Sequence, residues 1–452
     1  MTIATTYDPS HPQQLWCSGD LGPDAGFFAP RFVLAHTLRV RGPLDTARLQ
    51  RCLDGLLVKH DALRTRLLSD DDGPRAEVDD PTPVPLLTRD QPTPLEWRDA
   101  VACQLARVAE QLPVDPRSTP LVRAVLTRLG DDDATLSLVT HHTASDQWSM
   151  RVLLDELVGC YDADAGTPPS LPYAAFARWE REAHEPSAVE VEHAFWAGRM
   201  RGARIVAAPT DRPFPGRLSQ PHATLTLPLE HRLGATVELY SRAHDLEVET
   251  VLLAGVSVLG ARLTGTTEPA IDMLTTGRRT PEFDRTVGSV MNFLVYHTPL
   301  EGSEDFAGVV ARTARIREQA LKHEVPIAHI EELAPTLMTP NEAPRTTPWI
   351  VGTFSTEQVH WRLGDYTVAD LVVDDHESTS SGPWIPHGVA WNVHQYPGSR
   401  FVLRVQFNRD ELDDATVAQW AHHYVEILHE GLRDPSQSWR DLSSAGCTAP
   451  TG

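Results

Sequence analysis

The sequence predicts a two-lobed α/β protein. Its 452 residues exceed what one hydrophobic core usually serves. Short runs of alternating apolar and polar residues recur along the chain, and amphipathic helical stretches fall between them. Apolar residues make up 41% and charged residues 23%, the ordinary balance of a globular protein.

The elements follow in order. Residues 32–42 alternate, with Phe32, Leu34, His36, Leu38 and Val40 on one side, which reads as a strand. Asp45 is placed to cap a helix carrying Leu49, Leu53, Leu56 and Leu57 on one face. Beyond Arg64 and Arg66 an acidic turn, Ser69 to Gly73, leads into a further strand. Residues 95–112 read as an amphipathic helix, and 121–129 and 134–140 as a hairpin joined by Gly130-Asp131-Asp132-Asp133. That second strand ends at His141-His142. A helix then starts near Asp146 and turns Val152, Leu153, Leu157 and Tyr161 inward. The loop with Pro168, Pro169 and Pro172 puts the lobe boundary at about 165–180, so that 1–175 and 176–452 form the two lobes. In the second, 222–228 is expected as strand, 229–245 and 247–263 as helices, 271–275 and 401–408 as strands, and 413–430 as a closing helix. Residues 443–452 read as a disordered tail.

Sixty-two acidic residues against 40 basic ones give a formal charge of −22, with no basic stripe to offset it. This excludes broad contact with a nucleic-acid backbone or an anionic membrane. No window reaches the ~18 consecutive apolar residues of a membrane helix, and the first residues lack the pattern of a secretion signal. The expectation is a cytoplasmic protein. Cys17, Cys52, Cys103, Cys160 and Cys447 are odd in number, far apart and without C-x-x-C spacing, so they are expected as scattered thiols of a reduced compartment.

The sharpest chemical feature is His141-His142-x-x-x-Asp146 where a strand meets a helix start. Adjacent strand residues point to opposite faces, so only one histidine can face a given cavity while the other packs into the lobe behind. No metal site is expected there, since both imidazoles cannot reach one ion without distorting the strand. Taken alone, the pair also fits a satisfied core histidine with Asp146 as a helix N-cap.

Further matches raise the functional reading. His141 to Ser149 (HHTASDQWS) resembles the HHxxxDG core of condensation domains of nonribosomal peptide synthetases. Lys59 to Leu67 (KHDALRTRL) is similar to their R-H-E-x-L-R-T-x-F segment, preceded by Gly42-Pro43-Leu44-Asp45. Gln14-Leu15-Trp16, Tyr173 to Trp179 (YAAFARW) and Thr210-Asp211-Arg212-Pro213 resemble further family segments. So do Gly277 to Glu282 (GRRTPE) with Val287-Gly288 and Met291-Asn292, His323 to Pro326, and Phe407-Asn408. The resemblance covers about residues 10–440 in the expected order.

It implies two chloramphenicol-acetyltransferase-like lobes arranged as a V, with a tunnel at their junction. His142 would face the tunnel and serve as catalytic residue, either as general base or by positioning the nucleophile and the tetrahedral intermediate. His141, Asp146 and Arg278 would support it structurally, Asp146 pairing with Arg278. Gln147, Trp148, Ser149 and Asn292 would line the tunnel. The partners implied are peptidyl or acyl carrier proteins and a small-molecule amine or alcohol acceptor. Phosphopantetheine would arrive on the carrier, and the chain would need neither a cofactor of its own nor a metal. A monomer that works in trans with free-standing carriers is expected, because the chain has no room for an adenylation or carrier domain.

Gln147 departs from the family glycine. A specialised active site, a neutral change with the side chain turned aside, and lost catalysis with retained binding are its three readings. Epimerisation domains place Ser-Trp after the motif, where this chain has Trp148-Ser149, and plant-type acyltransferases need a D-F-G-W-G segment that is absent. Amide formation is the leading expectation. Ester formation and a catalytically silent recruitment module are the alternatives. Trp384, His387, Trp391 and His394 form an aromatic and imidazole group that suits either the acceptor side or a packed interface, while His60 and Arg64 are expected to fix local structure, Arg64 by binding inward carboxylates or carbonyls.

Overall fold

The computed structural model describes the chain except for residues 1–4, 21, 23–25, 71–72, 162–168, 217, 219–221, 303–304, 338–344, 356–359, 364–365, 372–376, 382–384, 386–387 and 444–452. The first lobe contains β1 (Thr5–Tyr7), α1 (His11–Ser18), β2 (Val33–Arg41), α2 (Thr46–Lys59), β3 (Thr65–Asp70), β4 (Gly73–Val78), β5 (Leu86–Asp90), α3 (Arg98–Ala109), β6 (Val122–Gly130), β7 (Asp133–His141) and α4 (Gln147–Tyr161). Two helices, α5 (Tyr173–Ala183) and α6 (Glu190–Arg199), lead onward to β8 (Ala207–Pro209), β9 (His222–Pro228), α7 (His231–Ala243) and α8 (Val248–Thr264). Next come β10 (Ala270–Thr275), β11 (Asn292–His297), α9 (Phe306–Lys322), α10 (Ile327–Leu333) and β12 (Thr346–Ser355). The remaining elements are β13 (His360–Leu363), β14 (Tyr366–Asp370), β15 (Ser378–Ser381), β16 (Val389–Tyr396), β17 (Arg400–Asn408) and α11 (Asp414–Arg433).

Each lobe is built on one mixed sheet. The first runs β13-β14-β2-β7-β6-β5, with β2, β7 and β6 antiparallel and β5 parallel to β6. The second runs β11-β10-β12-β16-β17-β9-β15, with β8 paired to β12. A small sheet, β1-β4-β3, closes the N-terminal end. In the first lobe α2 and α4 cover the sheet, and Leu49, Leu53, Leu56 and Leu57 share a core with Leu136, Leu138, Leu153 and Leu157. Asp45 caps α2 by accepting from the amides of Ala47 and Arg48, as its position predicts. In the second lobe α8 is buried on all sides between Thr250 and Ala261, which is why its sequence is apolar all round instead of striped.

The expected boundary at 175/176 falls within α5. β14 pairs with β2 from Thr367–Arg41 to Asp370–Leu38, so a segment crossing from the second lobe covers the edge of the first lobe's sheet. Two expectations need correction. The cysteines are not all free. Cys52 on α2 and Cys160 on α4 form a disulfide with Cα atoms 5.7 Å apart, because the packing of the two helices joins positions 108 residues apart in sequence. Cys17 and Cys103 are not disulfide-bonded, and Cys447 lies outside the described residues. Of the expected tail, Ser443 is buried, with its amide on Glu430 and its hydroxyl on Glu426; the rest lies outside the described residues.

Candidate active site

β7 delivers the histidine pair at its end, and one tight turn, His142–Ala144, separates it from α4. His141 is fully buried. Its Nε2–H donates to the Ala29 carbonyl (3.1 Å), which leaves Nδ1 to accept from the Thr143 hydroxyl (2.9 Å) and amide (3.3 Å). Burial pushes its pKa down to about 3, so the ring is a neutral structural post. His142 has different surroundings. Its backbone amide donates to Phe32 (3.0 Å), its ring stacks on Phe32 with centroids 4.8 Å apart, and Trp16 leans over it at 5.3 Å. Burial lowers its pKa; its own and Ser145's carbonyls and the charge of Asp146 oppose this only in part. The imidazole is therefore held in the neutral form, able to accept a proton.

Asp146 does two things at once. As N-cap of α4 it accepts from the Ser149 amide (2.7 Å), and across the seam it receives Arg278 Nη1 (2.9 Å) and Nη2 (3.2 Å). The amides of Val290 and Met291 also donate to Oδ2, the oxygen that Nη1 reaches, at 3.0 and 3.2 Å. Burial raises its pKa, but the Arg278 charge and these hydrogen bonds outweigh it and hold the carboxyl ionised. Arg278 also donates to Ser149 Oγ and to the Thr286 and Thr276 carbonyls. The pair thus ties the helix that follows His142 to the second lobe.

The four residues expected along a tunnel do not behave alike. Gln147 and Trp148 are exposed at the start of α4, and Trp148 reaches over to donate its indole N–H to the Asp284 carbonyl (2.7 Å). Ser149 is fully buried, its hydroxyl donating to the Gly288 carbonyl (2.8 Å) and accepting from the Gly288 amide (3.1 Å). It is a peg between the lobes and not a lining residue. Asn292 spends its side chain on the loop before α10, donating to Glu324 and Val325 and accepting from Ile327. Of the aromatic group, Trp391 packs in the second lobe's core against Trp349 and Tyr424, away from the first lobe. His394 lies on the other face of β16, stacked on Phe354 at 5.1 Å, its pKa pushed to about 3 by burial and by Arg404. Trp384 and His387 lie outside the described residues.

Residue-level reading missed most of the seam that carries these groups. Trp16 donates to Ser289 Oγ (2.9 Å), and Tyr173 donates to the Ser289 carbonyl (2.6 Å). Asp61 caps the start of α5 through the Tyr173 and Ala174 amides. Glu156, fully buried on α4, gathers Lys59 (2.8 Å), His60 (2.9 Å) and Arg285 of the second lobe (3.0 Å). Gly288 passes so close to Tyr173 that a Cβ there would fall inside the ring. Arg64 holds the carbonyls of Leu57 and Asp79, as expected.

Comparison with known proteins agrees with this architecture. The family model described as "Condensation domain" matches residues 6–446. Chondramide synthase of Chondromyces crocatus is 28% identical over 412 residues, 89% of this chain and 10% of that protein; the chain thus spans a small part of that much longer relative. The SgcC5 protein of Streptomyces globisporus, solved with (R)-(−)-1-(2-naphthyl)-1,2-ethanediol and sucrose, is similar with a TM-score of 0.89 and 30% identity, over 96% of this chain and 100% of that one. The X-domain of teicoplanin biosynthesis, solved in complex with OxyB, shares the fold at a TM-score of 0.77 and 21% identity, over 98% of this chain and 96% of that one. A two-lobed α/β chain carrying HHxxxD at the seam, matched along nearly its whole length by that model, belongs to the condensation-domain family.

Proposed function

We propose that this chain transfers an acyl or aminoacyl group from a carrier-bound phosphopantetheine thioester to a small nucleophile, forming an amide in the biosynthesis of a nonribosomal peptide or related product. The observation that carries this reading is His142: a neutral imidazole at the seam between the lobes, on the turn that Asp146 and Arg278 fasten. The amine nitrogen bonds to the thioester carbon and its proton passes to the imidazole. The C–S bond then breaks, and the proton leaves with the pantetheine thiol. An amine of pKa ~10.4 arrives largely as ammonium, so it must shed a proton before it attacks. Proximity of a tethered, aimed donor contributes much of the rate.

A second reading has its own support. The similar SgcC5 structure holds a 1,2-diol, and a hydroxyl acceptor, which yields an ester, would lean harder on a neutral base. The test is intact-mass spectrometry of acyl-loaded carrier proteins incubated with the chain and a panel of amines and alcohols. Transfer that disappears in His142→Ala supports condensation, and the nucleophile consumed distinguishes amide from ester. Transfer that persists unchanged in His142→Ala overturns the role of His142. Carrier binding with no transfer from any donor indicates a recruitment module.

A further inference from the structure

Away from the HHxxxD turn, four histidines converge where α1, α5, α6 and α10 meet. The rings of His11 and His184 are 6.0 Å apart between centroids, and His329 stands 5.1 Å from His11 and 6.3 Å from His184. Glu180, one helical turn before His184, sends its carboxylate into the same space: Oε2 lies 3.0 Å from His11 Nδ1 and accepts from the His11 amide at 3.0 Å. One ligand atom from each of His11, Glu180 and His184 can be chosen so that all three lie within 4.8 Å of one another.

The proton positions favour coordination. His184 Nδ1 faces the Glu180 carbonyl at 2.8 Å and must donate to it, so Nε2 carries the lone pair. An orienting N–H bond to a carbonyl on the far side of the ring is the usual support of a metal-bound histidine. His11 Nδ1 is buried and makes no aligned hydrogen bond, although Glu180 is adjacent. His193 Nε2 meets His329 Nδ1 at 3.0 Å, a bond that fixes the orientation of His329 in the same way. One contact competes: Arg279 Nη1 donates to His184 Nε2 (3.2 Å) as well as to the Glu324 carbonyl (2.8 Å). A cation at Nε2 would leave Arg279 on that carbonyl alone. Burial keeps His184 and His329 below their ordinary pKa, in the neutral form that binds metal.

We propose that His11, Glu180 and His184, with His329 nearest to supply a fourth ligand, form a binding site for a divalent transition-metal ion of the zinc class. Two imidazoles and one carboxylate match the ligands that borderline-soft ions take. The ligands come from the first helix of one lobe, the connecting helix and a helix of the other lobe, so the ion acts as a clamp on their relative placement. This inference does not depend on the reaction assigned to His142.

The test is a zinc titration of the full chain, stripped with chelator, followed by calorimetry and elemental analysis. One zinc per chain is expected, together with a higher melting temperature. His184→Ala and Glu180→Gln should each weaken binding by more than about 100-fold, beyond the 10–100-fold typical of losing a group that only orients a ligand. His422→Ala, at a surface pair with Glu377, should leave it unchanged. Should either core variant fail to fold, cobalt(II) binding to the unaltered chain still decides: strong visible bands of a four- or five-coordinate site support the proposal. It is overturned by the weak spectrum of a hydrated ion, by less than one zinc per chain, or by affinity that survives both core substitutions.

Discussion

At the residue scale the site is an arrangement of protonation states. His142, half-buried against Phe32 and Trp16, has its pKa lowered by lost solvent, and Asp146 has its pKa lowered because Arg278 and Ser149 outweigh its burial. If His142 is the base, transfer needs its neutral form, and a lowered pKa keeps that form populated further into acid. Measured with an acceptor that does not itself titrate in this range, such as an alcohol, the acidic limb of kcat/KM should therefore fall below pH of about 6.5, the ordinary histidine value. A limb above that value would contradict the burial that the aromatic platform enforces. Asp146 predicts a different readout. Asp146→Asn leaves Arg278 buried without its counter-charge, so stability should drop by about 3–5 kcal/mol in urea unfolding. A loss of activity with unchanged stability would instead place Asp146 in the chemistry. The motif was legible because its residues are contiguous, and Arg278 was named only through resemblance, 132 residues away from Asp146. Phe32, which stacks on His142, read as an ordinary strand residue, since nothing in an alternating pattern says which ring faces which partner.

At the element scale, period and caps carried the reading far. β2, α2, β7, β9, α8 and β17 fall within a residue or two of where alternation, helical spacing and Asp45 put them. What failed was non-local: β14 crossing to β2, and the disulfide between α2 and α4. Neither leaves a local signature, because each depends on which surfaces meet after folding. The disulfide predicts a measurable dependence on redox state. Closing a loop of 108 residues restricts the unfolded chain by an amount equivalent to about 4.7 kcal/mol on the chain-entropy model. Reductant should therefore lower the melting temperature, and Cys52→Ser with Cys160→Ser should lower it equally and remove any further response to reductant. Free thiol counting under denaturing conditions is the direct check: at least two fewer titratable thiols without reductant than with it are expected, and equal counts would refute the bond.

At the scale of the whole molecule, carboxylates of the first lobe anchor several of the ties across the seam. Asp61 receives the start of α5, Asp146 receives Arg278, and Glu156 receives Arg285. The Gly288–Tyr173 contact and the Trp16–Ser289 bond close the same seam, so its geometry is shared among many groups. Acid is the reagent that attacks this arrangement. Burial opposes the charge on Glu156, yet His60, Lys59 and Arg285 bring its pKa down to about 2 from an ordinary 4.5. A carboxylate with a depressed folded-state pKa contributes stability in full above its unfolded value and loses it as pH falls through the folded one. The contribution should therefore fade between about pH 4.5 and pH 2. Glu156→Gln cannot titrate, so it should be less stable than the parent at neutral pH, with the difference shrinking toward pH 2. Scattering profiles and protease sensitivity of the connecting segment near α5 would then report seam opening at neutral pH in the variant, and only in acid in the parent. If both proteins respond to acid identically, Glu156 carries no share of the seam, and the other contacts across it, from the Asp146–Arg278 pair to the β14–β2 ladder, hold the lobes.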